Sequence, residues 1–173
     1  QYDMDLNAGR IITGEMAEAA ARTLEGAAKS LLNYSPELAQ QVRDLEEKTD
    51  HYEDILATYL VKLSNRSLSH QDSLEITELL HNIGDFERIS DHAMNIMETA
   101  QEMYEKGATF SDEAWVEIQQ MKRAVQTIME MAINAFEKND LELAIRLSPN
   151  KIFVSVSNSG PTIPPEELPL LFD

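Results

Sequence analysis

Leu79-Leu80-His81-Asn82-Ile83-Gly84-Asp85-Phe86-Glu87-Arg88-Ile89-Ser90-Asp91-His92-Ala93-Met94-Asn95-Ile96 is the stretch that decides the fold. Together with its flanks it places Ile76, Leu79, Ile83, Phe86, Ala93, Ile96, Met97 and Ala100 at three- and four-residue intervals, the stripe an amphipathic helix turns toward a core. Glu87 and Asp91 lie off that stripe, one turn apart on a common face, and Glu98 extends their row. Ser69 with Asp72 three residues later supplies a capping box at the start, and Gly107 after Lys106 supplies a stop.

Upstream, Ser35-Pro36-Glu37 places a capping serine before a proline at the first helical position. Leu38, Val42, Leu45, Thr49, Tyr52, Leu56, Tyr59 and Leu63 then form a second seam. An earlier helix carries Ile12, Met16, Ala20, Thr23, Ala27 and Leu31 and ends near Asn33. Downstream, Ser111 caps a helix that uses Trp115, Ile118, Met121, Val125, Ile128, Ala132 and Ala135. The connections are short, so consecutive helices are expected as antiparallel neighbours in an all-α bundle.

The seams also suggest an internal repeat. At an offset of 105 positions Met16 falls on Met121, Ala27 on Ala132 and Val42 on Leu147, and Pro36-Glu37-Leu38-Ala39 aligns with Leu141-Glu142-Leu143-Ala144. One three-helix repeat plus the start of an incomplete second is therefore expected over residues 1–147. After Leu147 the character changes: Ile152, Val154 and Val156 alternate as in a strand, and Asn158-Ser159-Gly160-Pro161 and Ile163-Pro164-Pro165 are turn-rich. Residues 148–173 read as a short non-helical, β-type tail foreign to the bundle, with a single strand that lacks a partner.

Composition narrows the function. Thirty-one acids against 14 Lys and Arg leave a formal charge of −17, which disfavours nucleic acid and anionic lipid and favours basic protein surfaces and hard cations. There is no cysteine, hence no disulfide or thiolate chemistry, in keeping with a cytoplasmic setting. No apolar run is long enough to insert in a membrane, and no signal-peptide pattern precedes Met16. The chain opens on Gln1 rather than methionine and reads as part of something longer.

No nucleophile elbow, phosphate-cradling loop or Glu-x-x-His pair of a di-iron bundle occurs, so no catalytic residue is assigned and an enzyme is not expected. The carboxylates are the remaining chemistry. Glu87 and Asp91 are the candidate metal ligands, with Asp85 and Glu98 as further members of a metal face, for a divalent ion or iron. Asp85 with Arg88 also reads as an exposed helix pair, His81 and His92 as surface histidines, and Glu46, Glu47, Asp50, Glu53 and Asp54 as the solvated face of their helix.

The run from Leu79 to Ile96 resembles the third-helix signature of PhoU domains, and Leu60-Val61-Lys62-Leu63-Ser64-Asn65-Arg66-Ser67-Leu68-Ser69 is similar to the PhoU-like domain that follows the membrane part of bacterial sodium/phosphate cotransporters. The resemblance covers about residues 16–147. It implies two pseudo-repeated three-helix bundles, of which the second is truncated here. It also implies a non-catalytic cytosolic role in regulating phosphate transport through protein contacts. The partners it implies are a phosphate transporter membrane domain or a phosphate-signalling kinase, with a homodimer left open. Glu87 and Asp91 match the Glu-x-x-x-Asp motif at which metal ions gather in some members.

The tail, Ile152 to Asp173, resembles instead a fragment of the ATP-binding domain of sensor histidine kinases of the heavy-metal type. Its magnesium-binding helix, lid and phosphoacceptor helix have no match, so no nucleotide is expected to bind. Two resemblances meeting in one chain suggest a chimera. The competing readings are a histidine-kinase fragment, or a generic acidic helical scaffold.

Overall fold

A computed structural model describes residues 6–137, 141–148 and 151–158, with side chains described as far as residue 136, residue 135 excepted. The elements are α1 (Leu6–Leu32), α2 (Pro36–Ser64), α3 (His70–Lys106), α4 (Asp112–Glu137), β1 (Leu141–Ser148) and β2 (Lys151–Asn158). They fall into two compact units, Gln1–Ala108 and Thr109–Asp173.

In the first unit each of α1, α2 and α3 packs against the other two. The helix ends follow the local chemistry. Ser35 is extended, accepts from the Leu38 amide at 3.1 Å, and hands the chain to Pro36, whose missing N–H costs nothing in the first turn. Ser69 accepts from the Asp72 amide at 3.1 Å while Asp72 accepts from the Ser69 amide at 3.3 Å, a complete capping box. Gly107 closes α3 with φ +63°, a conformation that a residue with a Cβ adopts only at a cost.

The core is the set of stripes expected from the periodicity. Met16, Ala20, Thr23 and Ala27 of α1, Val42, Thr49, Leu56 and Leu63 of α2, and Ile76, Leu79, Ile83, Phe86, Ala93, Met97 and Ala100 of α3 are all buried. Helix α1 is buried more widely than one seam implies, adding Gly9, Thr13, Ala17, Ala19 and Ser30. Small side chains allow this: a Cβ built on Gly26 would lie 2.8 Å from Val42 Cγ2, so α1 and α2 approach where only glycine fits. Toward that end of the bundle Ala27, Ala39, Val42, Ala93 and Met97 form one cluster. Arg43 donates to Gln101 at 2.8 Å, and Tyr34 stacks at a tilt on Tyr104 with ring centroids 5.0 Å apart.

In the second unit α4 is capped by Ser111, whose hydroxyl accepts from the Ala114 amide at 3.2 Å. Met129 and Ala132 are buried, but Met121, expected in the seam, is exposed. The larger correction concerns Leu141–Leu147. The repeat placed this segment on a helix equivalent to the start of α2; it is strand β1 instead. Leu141, Leu143, Ile145 and Leu147 also alternate, and beyond Pro149-Asn150 the sequence offers a second alternating run. The two runs pair antiparallel, with Leu143 opposite Val156, Ile145 opposite Val154 and Leu147 opposite Ile152. The strand expected over Ile152–Val156 is therefore present as β2, and its partner comes from its own chain. The rest of the kinase-like tail, residues 159–173, lies outside the described residues.

Candidate functional site

Glu87 and Asp91 stand where α3 turns toward α2. Glu87 is half-buried, Asp91 is exposed, and the two carboxyl groups share a hydrogen bond. Opposite them the antiparallel α2 presents Glu46, Asp50 and Glu53. Oxygens of Glu46, Asp50 and Asp91 lie within 4.8 Å of one another, a separation that a single cation can bridge.

Crowding like charges raises their proton affinity. Glu87 is pushed from its ordinary value of 4.5 up to about 7, first by burial, then by the charge and hydrogen bond of Asp91, then by Glu53 and Asp50. Glu46, Asp50 and Glu53 are each raised, in every case by burial first and by neighbouring acids second, with Asp91 acting on all three. The structure thus joins five carboxylates from two helices into one electrostatic unit. Oxygen-only donors of this kind fit a hard cation, which would replace mutual repulsion with attraction.

The other expected members separate from this group. Asp85 is half-buried and turns to Arg88, at 3.4 Å; burial raises its proton affinity, and Arg88 and His81 oppose the rise. Glu98 is exposed and is not among the converging oxygens, and His81 and His92 are exposed. Sequence reasoning missed Glu46, Asp50 and Glu53 by assigning them to a solvated face. The signal was available: Glu46 and Asp50 repeat the Glu-x-x-x-Asp spacing of Glu87 and Asp91, and an antiparallel hairpin can bring two such rows together.

The PhoU domain profile matches residues 13–100, the helices that build this face. The chain belongs to the PhoU domain family. Two curated relatives are similar over 149 residues at 26% identity, both called phosphate-specific transport system accessory protein PhoU homolog. The one from Pseudomonas aeruginosa is matched over 86% of this chain and 61% of its own length; the one from Pseudomonas putida over 86% and 57%. This PhoU-domain chain thus spans about three fifths of the length of the relatives it matches. No solved structure matches. Among the described residues no helix is long and apolar enough to cross a membrane.

Proposed function

We propose that the chain is a non-catalytic regulatory domain of phosphate transport that works through protein contacts and holds a hard cation between α2 and α3. The observation that carries the reading is the coincidence of two things: the PhoU match over residues 13–100, and a carboxylate face built by those same helices. The names of the relatives supply phosphate-specific transport as the setting. Glu46, Asp50, Glu87 and Asp91 would bind the ion, with Glu53 adding to the field; the ion would supply charge neutralisation and hold α2 to α3, and no reaction is assigned to it. The partner is the membrane domain of a phosphate transporter, of the sodium/phosphate cotransporter type that Leu60–Ser69 resembles, and the location is the cytosol.

Purified chain should bind that membrane domain in detergent, with affinity that changes when phosphate is withdrawn. Equal and unsaturable retention of the transporter and of an unrelated membrane protein would overturn the transport reading. Metal analysis of the same preparation tests the cation separately.

A further inference from the structure

Gly84 sits inside α3, where glycine is the least favourable residue after proline, and the packing of the bundle does not require it there. A Cβ built on Gly9 would lie 3.3 Å from Leu60 Cδ2 and one on Gly26 2.8 Å from Val42 Cγ2, so close helix contacts account for those two glycines. One built on Gly84 meets nothing within 4 Å among the described residues. The helix gives up stability for a gap that its own neighbours leave unfilled. What surrounds the gap follows from the register of α2 on α3. Arg43 donates to Gln101, and carboxyl oxygens of Asp50 and Asp91 lie within 4.8 Å. Counting seven residues on from Asp50 and seven back from Asp91 sets Ala57 level with Gly84, and eleven set Val61 level with Leu80. Seven and eleven residues are close to two and three whole turns, so both rows stay on the face that carries the carboxylates. Ala57, Leu80 and Gly84 are half-buried, and Val61 is 52% exposed.

The α2–α3 seam therefore has two parts. One is a small apolar notch over Ala57, Val61, Leu80 and Gly84; the other, about 10 Å further along the axis, is the carboxylate cluster already described. Neither part contains a Lys or Arg of its own. A complementary occupant carries an apolar side chain and, roughly two helical turns away, Lys or Arg. An ammonium or guanidinium group placed there turns the mutual repulsion of the acids into attraction, as a metal cation would, so the two compete for the same oxygens. The inference rests on the transport reading above for the source of that occupant: cytosolic flanks of membrane helices join apolar residues to an excess of Lys and Arg.

We propose that the α2–α3 seam docks a basic amphipathic helix from the cytosolic flank of the transporter's membrane domain, its apolar side chain in the Gly84 notch and its bases on the carboxylates. The probe is a fluorescein-labelled, alanine-based peptide of about 20 residues, long enough to be helical, with two Lys placed two turns from a pair of Leu. Anisotropy against the purified chain in chelator should show saturable binding, lost when the peptide's Lys are replaced by Glu. Gly84→Leu fills the notch without changing charge and should weaken binding roughly tenfold while the melting temperature holds or rises. Asp50→Asn/Asp91→Asn should weaken it by roughly as much, and circular dichroism checks that each variant is folded. Added Mn2+ should displace the peptide. Absence of saturable binding overturns the proposal, as does full affinity in Gly84→Leu, which would show attraction by charge alone. So does Mn2+ that binds by calorimetry and leaves the peptide in place. A membrane domain that binds parent and Gly84→Leu chains equally overturns the docking site and leaves the transport reading standing. Peptide binding with the expected losses, beside a membrane domain that ignores the chain, supports the site and sinks the transport reading.

Discussion

Glu87 holds a proton at pH 6 that a solvated glutamate has already lost, because burial and Asp91 push its titration up to about 7. A carboxyl whose folded pKa exceeds its unfolded value favours the fold while it is protonated, and the advantage drains away across the range in which only the folded state keeps the proton. That contribution is complete below the unfolded value of 4.5 and is lost as pH rises through about 7. The metal-free protein should therefore melt at a lower temperature at pH 8 than at pH 5.5, and Glu87→Gln should flatten the profile in a thermal scan. A cation competes for the same oxygens, so adding Mn2+ or Ca2+ at pH 8 should raise the melting temperature and chelator should reverse it. Calorimetric titration of Glu87→Ala/Asp91→Ala should show no saturable heat, and heats equal to the parent's would remove these residues from the site. Ser90 presents a simpler case. Its hydroxyl is fully buried and has no hydrogen-bond partner, so Ser90→Ala should raise the urea midpoint by the equivalent of about 1 kcal/mol. Half of the candidate carboxylate cluster was legible in sequence, since Glu87 and Asp91 sit on one turn of one helix. Glu46 and Asp50 were not, because their convergence on Asp91 depends on how α2 packs, and many acids in this chain share that spacing without converging.

Helix α1 meets α2 more closely than its composition suggests, and Gly26 is the reason. Ala at this position gains about 1 kcal/mol of helix propensity but pushes a methyl into Val42 Cγ2, 2.8 Å away, which costs about 1–3 kcal/mol. Gly26→Ala should be destabilising on balance in chemical denaturation, and Val42→Ala in the same chain should recover part of the loss, a coupling that a double-mutant cycle measures. The helix boundaries were legible because each depends on a local rule: Ser35-Pro36, Ser69 with Asp72, and Gly107. Leu141–Leu147 was misread for a physical reason. Leu143, Ala144 and Leu147 fit a helical spacing while Leu141, Leu143, Ile145 and Leu147 alternate as in a strand, and the run from Ile152 to Val156 was available as a strand partner. Helical seams long enough to show several turns, as in α1 to α3, leave no such ambiguity.

At the scale of the molecule, the α1–α3 unit contains its own core, caps and turns, and the PhoU match ends at residue 100, inside it. A chain ending at Ala108 should keep the helicity of α1 to α3 and melt cooperatively; a broad, non-cooperative melt would show that Thr109–Asp173 is needed. The turns at Asn33–Ser35 and Asn65–Ser69 have a consequence for biosynthesis. Helical bundles with such short connections fold in microseconds to milliseconds, whereas a ribosome adds about 5–20 residues per second. Each residue after Gly107 then takes about 0.05–0.2 s to emerge, at least tens of folding times for the three helices to dock. A unit that folds without Thr109–Asp173 should therefore reach its final form while still a nascent chain.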